Sequence, residues 1–293
     1  MTTNSYSISV VSANYNNAPY LEDFFGAFIN SSSHPKELIF VDDGSTDNSI
    51  DIARSYESKI PYLKIVELPT NQGFANALNA GIDAATAEYI LRTDPDDWIS
   101  SEFLEIQFNR AKDNNLDILG CNLSIFRSSD GKVMGTSNIP LDHETISKRI
   151  KSGGHGVLHT TVLIRRALFE HNRYIQENVP AEDYDIFARF LRAGATFGNS
   201  KEALVNYRVH DKSITSLLPY STISKTYSLR DSIFTTNTFF ITPRIYHLHL
   251  KLYRKSLFLD PGIKKTSLLA LSALLQPKKL INKIKQIAKA DPA

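Results

Sequence analysis

Three carboxylates crowd into four positions, Asp94, Asp96 and Asp97, directly after the apolar run Tyr89-Ile90-Leu91. An apolar run that stops at clustered acids reads as a buried strand delivering negative charge to the carboxyl edge of a sheet. Acids this close repel one another, and desolvating them is costly unless something positive compensates, so the economical partner is a bound cation. Oxygen-only ligands with no His or Cys nearby in the chain favour Mg²⁺ or Mn²⁺. Pro95 fixes its own φ and keeps Asp94 extended, which sets the flanking carboxylates in a fixed relation. The competing reading is an acidic loop that caps the next helix, expected from Ser101 to about Asn114, since Asp is an ordinary cap and turn residue.

The elements that must position these acids follow from hydrophobic period. Ser7 to Ala13 is a β-branched run, the first strand; Leu21, Phe24, Phe25, Phe28 and Ile29 then form the apolar stripe of a helix. Glu37 to Val41 is a second strand and also ends on acids, Asp42-Asp43, followed by Gly44, which permits a tight turn. Ser45, Thr46 or Asp47 can cap the helix that runs to about Tyr56. Leu63 to Leu68 is a third strand, Phe74 to Ala84 a helix, and the fourth strand ends at Asp94. Strands alternating with helices give a mostly parallel sheet with helices on both faces, and such sheets bind ligands at the carboxyl ends of their strands. Asp42 and Asp43 would then share one crevice with Asp94 and Asp96.

Beyond this, Asp117 to Arg127, Lys132 to Met134, Thr161 to Ile164 and Ala203 to Val209 read as strands. A loop rich in Gly and His, Ser152 to Gly156, precedes His159, and Glu182-Asp183 open a helix that carries Tyr184, Phe187 and Leu191 on one face. The composition is that of a globular protein, which excludes disorder for most of the chain. The single cysteine, Cys121, cannot form an intrachain disulfide and argues for a reducing compartment. No basic residue precedes Lys36 and no apolar core of signal-peptide length opens the chain, so a cytosolic protein is expected. Residues 251–293 hold ten lysines and arginines against two acids, whereas residues 1–250 hold 23 against 29. In that basic tail Leu280, Ile281, Ile284 and Ile287 form a stripe flanked by lysines, which fits an anionic membrane surface, or else docking on its own domain or a dimer partner.

The segments ISVVSANYN, IFVDDGSTDNS, NQGFANALNAGI, TDPDD, AEDYDIFARFLRAG and YRVH, in this order and spacing, resemble the family 2 glycosyltransferases of the GT-A fold over roughly residues 7 to 215. The resemblance implies an α/β fold of GT-A type, a Rossmann-like mostly parallel sheet flanked by helices. Its nucleotide-binding half would cover about residues 1–115 and its acceptor half about 116–215, with a basic helical extension at 216–293. It implies that Asp43 hydrogen-bonds the nucleotide base, with Ala13, Tyr15, Asp42 and Asn79 also on the nucleotide side. Asp94 and Asp96 match the DXD element that meets the ribose and the diphosphate-bound metal, Mn²⁺ or Mg²⁺. His210 sits where some relatives supply a further metal or diphosphate ligand. Asp183 matches the general base, beside Glu182.

These roles make physical sense: a divalent cation stabilises charge on a departing diphosphate, and an acid in the first turn of a helix stays ionised and can take a proton from an acceptor hydroxyl. His159 faces the acceptor or is a hydrogen-bonded core histidine; Trp98 reads as packing more than as a sugar platform; Tyr207 and Arg208 brace the site. The QxxRW element of processive members is absent, which favours addition of one sugar. The expected activity is inverting, metal-dependent transfer from a nucleotide-sugar, UDP-linked by expectation, to a glycan or lipid-linked hydroxyl. Surface-polysaccharide assembly at the cytoplasmic membrane face would be its setting, with no nucleic acid partner. The rivals are a metal-dependent nucleotidyltransferase, a glycoside hydrolase using two carboxylates, and an inactive sugar-binding or scaffold protein.

Overall fold

The computed structural model describes residues 5–210, 219–239, 242–257, 259 and 262–275. The chain divides into two compact units, Met1–Ser216 and Leu217–Ala293.

The first unit is built on strands β1 (Ser5–Asn14), β2 (His34–Asp42), β3 (Leu63–Glu67) and β4 (Tyr89–Arg92), joined through helices α1 (Leu21–Ile29), α2 (Ser49–Ser55) and α3 (Phe74–Ala84). These four strands are parallel in the order β3-β2-β1-β4, as the alternation of strand and helix requires. After them come β5 (Trp98–Ile99), α4 (Phe103–Asp113), β6 (Ile118–Arg127), β7 (Val133–Thr136), α5 (His143–Lys151), β8 (Leu163–Arg165), α6 (Glu182–Arg192) and β9 (Phe197–Val209). The sheet continues β4-β8-β6-β9-β5 with β7 on the flank of β6, and here pairing is mixed: β4–β8, β6–β8, β6–β7 and β5–β9 are antiparallel while β6–β9 is parallel.

Register sets the edge that matters. Asn14 lies opposite Asp42 at the carboxyl ends of β1 and β2, and β4 runs beside β1 with Arg92 opposite Val11. The core under this edge is Ile8, Val10, Phe24, Phe25, Phe28, Phe40, Tyr89 and Leu91, all at most 1% exposed. The α1 stripe is as expected for Leu21, Phe24, Phe25 and Phe28, but Ile29 at the helix end is 43% exposed.

The helix expected from Ser101 begins at Phe103, because Trp98 and Ile99 first pair with Asn206 and Val205 as a short strand. The strand expected at Thr161 starts two residues later, after a 3₁₀ turn at His159–Thr161. The last strand starts six residues earlier than its apolar run suggests, since polar Asn199 and Ser200 are buried partners of β6. Helix α5 gave a legible signal: Asp142 accepts from the Thr145 N–H at 2.8 Å as its N-cap, and Ile146 and Ile150 are buried one turn apart.

The second unit holds helices α7 (Tyr220–Phe234), α8 (Thr242–Leu257) and α9 (Ile263–Leu274). Ser272 joins α9 to α8 through its hydroxyl on His249 Nδ1 at 2.8 Å, and Tyr227 of α7 meets Tyr246 of α8 edge to face. The lysine-flanked stripe at Leu280, Ile281, Ile284 and Ile287 lies outside the described residues.

The turn after β2 tests the first unit. Gly44 has φ +67°, and a Cβ there would stand 2.7 Å from the Thr70 carbonyl carbon and 2.8 Å from the Asn71 nitrogen. Gly44→Ala therefore combines a left-handed backbone with a collision against main chain, for a loss of about 2–4 kcal/mol. Urea unfolding followed by the fluorescence of Trp98, the one tryptophan, measures this; an unchanged midpoint would contradict the geometry.

Candidate functional site

At the carboxyl ends of β1 and β2 the two acids have different duties. Asp42 Oδ1 accepts from Asn14 Nδ2 at 2.8 Å and from the Ser45 hydroxyl, and Oδ2 from the Ser45 N–H at 2.9 Å, so this carboxylate organises the turn. Asp43 accepts from the backbone N–H groups of Gln72 (2.7 Å) and Gly73 (2.9 Å), which pins the start of α3 to the same edge. Asp47, one of the caps expected for α2, does hold its entry, accepting from Ser49 N–H at 3.0 Å and from Ala18 N–H at 3.1 Å. Ala13 is buried at the end of β1 and Tyr15 beyond it is exposed. The Asn79 amide donates to the Tyr174 carbonyl (2.9 Å) and accepts from the Tyr174 N–H (3.1 Å). Through these two bonds Asn79 staples α3 to a later segment.

The β4 edge carries the acid cluster. Oxygen atoms of Asp94, Asp96 and Asp97 lie within 4.8 Å of one another. Arg92, 4% exposed, meets Asp94 with two hydrogen bonds of 2.5 and 2.7 Å and rests on the Phe74 ring. Burial pushes the Asp97 carboxyl well above the usual range, with Asp96 and Asp94 adding to it; Asp96 is raised by burial and by Asp94, against the pull of His210. Asp97 Oδ1 accepts from the Arg208 N–H at 2.9 Å, while its buried Oδ2 finds no donor in hydrogen-bonding geometry. Three hard oxygen ligands, a buried orphan oxygen and carboxyls held above their ordinary titration fit a divalent cation of the Mg²⁺ or Mn²⁺ type.

His210 and Arg208, at the end of β9, close this side. His210 Nε2 is 3.0 Å from Asp96 Oδ2, its ring stacked on Tyr20. The Arg208 guanidinium donates to the Asp96 carbonyl and to Asp23 and sits about 5 Å from the Tyr20, Trp98 and Phe126 rings. It braces the site, as expected, and Trp98 packs against Phe126 and Arg208.

Across from the acids stands the N-terminus of α6. Burial raises Asp183, but the His155 charge and hydrogen bond outweigh it and hold the carboxyl well below the usual range. The contact is His155 Nδ1 to Asp183 Oδ2 at 3.2 Å, and Asp183 Oδ1 accepts from the Tyr184 N–H. Glu182, 8% exposed, behaves oppositely: burial, then Asp183, push it up to about 7, with Arg92 opposing and Asp94 reinforcing. Ring contacts run from Arg92 to Phe74, from Phe74 to His159 and from His159 to Phe187 of α6, which joins the β4 edge to α6. His159, partly buried, has Nε2 2.8 Å from the Tyr174 hydroxyl and its ring edge-on to Phe74 and Phe187, and burial drives it well below its ordinary value.

The ordered pattern of acids at strand ends has a counterpart among known proteins: residues 9–173 match the profile described as Glycosyl transferase family 2. The chain belongs to glycosyl transferase family 2. It is a glycosyltransferase, which sets aside the hydrolase, nucleotidyltransferase and scaffold readings. The chain is 31% identical over 216 residues to the cholesterol galactosyltransferase of Borreliella burgdorferi, covering 69% of this chain and 58% of that protein. An uncharacterized glycosyltransferase of Haemophilus influenzae is 32% identical over 186 residues, covering 63% of this chain and 72% of the relative. The crystal structure of S. aureus TarS 1–349 in complex with UDP-GlcNAc superposes with TM-score 0.65 at 20% identity, covering 90% of this chain and 79% of that one. The mannosyltransferase PcManGT from Pyrobaculum calidifontis, in complex with GDP-Man and Mn²⁺, gives TM-score 0.56 at 18% identity, covering 93% and 70%. These structures establish the GT-A fold.

Sequence reasoning put Asp97 in the acid cluster but missed Arg92 and His155 beside the expected site residues. Arg92 was legible as a charged residue inside an otherwise apolar strand, which must find a counter-charge.

Glu182 yields a measurable consequence. Its carboxyl is raised from 4.5 to about 7, so the neutral form is favoured in the fold: the protein pays nothing below about pH 4.5 and loses stability as pH rises to about 7. At about 1.4 kcal/mol per pH unit, the loss is about 3 kcal/mol. Glu182→Gln is expected to raise the melting temperature at pH 8 and leave it unchanged near pH 4. An equal change at both pH values would show that folding does not shift the titration of Glu182.

Proposed function

We propose that this glycosyltransferase moves one sugar, with inversion, from a UDP-linked donor to a hydroxyl of a glycan or lipid-linked acceptor in surface-polysaccharide assembly. The observation that carries the reading is the meeting of two unlike acid sets: Asp94, Asp96 and Asp97 with cation-ligand spacing, and Asp183 held ionised at the start of α6. The bound UDP-GlcNAc of the S. aureus structure supports a UDP-linked donor. The name of the Borreliella burgdorferi relative supports a lipid acceptor.

In this reading Asp43 receives the base and Asp94 the ribose, each through lone pairs its present hydrogen bonds leave open. Asp96, Asp97 and His210 would hold a divalent cation, which when bound would supply Lewis-acid stabilisation of the leaving diphosphate. Asp183 takes the proton of the acceptor hydroxyl as its oxygen bonds to the anomeric carbon. The carbon–oxygen bond to the diphosphate breaks on the opposite face, which inverts the centre. A positioned base of this kind contributes about 10²–10⁴ in rate. The missing QxxRW element supports a single addition.

A thermal-shift panel of UDP, GDP, dTDP and CMP, with and without Mn²⁺, tests the donor side. A nucleotide at 100 times its dissociation constant adds about 2.7 kcal/mol, or roughly 5–10 °C for a unit of this size. UDP is expected to give that shift only with metal, and Asp96→Asn to abolish it. A shift with GDP alone would reassign the donor, and a full shift without metal would remove the cation from the reading.

The second unit supports contact with an anionic membrane surface. Leu248, Ile263, Leu271 and Leu274 are 47%, 87%, 51% and 66% exposed, and Arg244, Lys251, Lys255, Lys264 and Lys265 lie on the same two helices, α8 and α9. Among the described residues no helix is long and apolar enough to cross a membrane. The full chain should pellet with vesicles containing phosphatidylglycerol, less so at high salt, and Lys264→Glu/Lys265→Glu should weaken that binding several-fold. Equal pelleting on neutral vesicles would remove the electrostatic part.

A further inference from the structure

The glycine-rich stretch Ser152 to Gly156 is built to deliver one side chain. Gly153 turns with φ +85°, and a Cβ at Gly156 would lie 2.7 Å from Ile146 and 3.0 Å from Ile150, so the loop can lie flat on α5 only without side chains there. Tyr184 of α6 donates its hydroxyl to the Ile150 carbonyl at 2.8 Å and locks the two helices together. Between them His155 stands edge-on to the Tyr184 ring, with Nδ1 3.2 Å from Asp183 Oδ2. Its side chain is 46% exposed, so it stands where Asp183, at 23%, reaches the solvent side of the site.

We propose that His155 is a positioning residue for the base: its Nδ1–H fixes the Asp183 carboxylate toward the acceptor, and its protonation weakens that carboxylate as a proton acceptor. The inference rests on the assignment of Asp183 as base. The groups that face His155 are Asp183, Glu182 and Tyr184 from α6, Arg149 from α5 and His159 from the 3₁₀ turn. Asp183 and Glu182 favour the imidazolium, while burial, Arg149 and His159 oppose it. The balance raises His155 above its ordinary value, chiefly through the Asp183 charge. No bond changes at His155; the proton of the acceptor hydroxyl goes to Asp183, and the negative charge leaves with the diphosphate. The sign follows: transfer rises with pH through the titration of His155, because the neutral ring leaves Asp183 the stronger base.

The experiment pairs two measurements on the full chain. The first titrates His155 by NMR of the histidine-labelled protein, with assignment by His155→Asn. Asp183→Asn is expected to move its midpoint down by about one pH unit or more; an unmoved midpoint overturns the pair. The second follows nucleoside diphosphate release from UDP-glucose, UDP-galactose and UDP-GlcNAc with water as acceptor, while the nucleotide thermal shift checks that each variant is folded. His155→Ala is expected to lower turnover about 10- to 100-fold with the thermal shift intact. His155→Asn, whose amide N–H can take the place of Nδ1–H, is expected to restore most of it and to lose the inflection that the wild-type pH profile owes to His155. Wild-type turnover and pH profile in His155→Ala, with Asp183→Asn inactive, would overturn the positioning role alone. Wild-type turnover in Asp183→Asn would overturn the base assignment and the inference with it.

Discussion

The constraint on which this molecule depends is the burial of negative charge at one end of its sheet. Asp42, Asp43, Asp94, Asp96, Asp97, Glu182 and Asp183 all stand at the ends of strands or at the start of α6, and most are largely withdrawn from water. Each would repel its neighbours at an effective dielectric well below that of water. The fold meets this in three ways. Backbone N–H groups and a hydroxyl absorb Asp42 and Asp43; the imidazole of His155 absorbs Asp183; and the buried guanidinium of Arg92 absorbs Asp94. His210 beside Asp96, the Arg208 N–H on Asp97 and the Arg92 charge near Glu182 compensate only in part, and these are the carboxyls whose titration is raised.

Arg92 is the hinge of that arrangement. A guanidinium this deep is costly unless both its faces and its fork are used. Here Asp94 takes the fork in two hydrogen bonds and Phe74 offers its ring face. Because β4 lies between β1 and β8, the same residue links the parallel and mixed parts of the sheet. Position on a central strand gives the acid cluster a rigid base that a surface loop would lack.

Much of this was legible in residue order. Apolar runs that end abruptly on acids, at Val41 and Leu91, mark strand ends because only an edge lets a chain pass so quickly from buried hydrocarbon to charge. The acidic first turn of α6 was legible for the same reason that helix N-termini favour carboxylates. What was not legible depends on contacts across long separations. Asn79 bonds both the carbonyl and the N–H of Tyr174, a partner 95 residues away that nothing near Asn79 in the chain announces. Glu182 and Asp183 are adjacent and chemically alike, yet one is raised and the other depressed, because only Asp183 meets His155, 28 residues earlier. The strand start at Phe197 was hidden because buried Asn199 and Ser200 are polar and find their partners on β6, on α4 and in the loop before α5.

The staple between Asn79 and Tyr174 is joined by a second one. Gln176 Oε1 accepts from the Ala75 N–H at 2.9 Å, capping α3 from a segment about one hundred residues away in the chain. Two side chains therefore sew the stretch before α6 to the helix whose start Asp43 pins. This seam carries heredity as well as mechanics. A chain that exchanged the stretch ahead of α6 would have to bring partners for the Ala75 N–H and the Asn79 amide with it, whereas residues 152–158 contribute to neither bond.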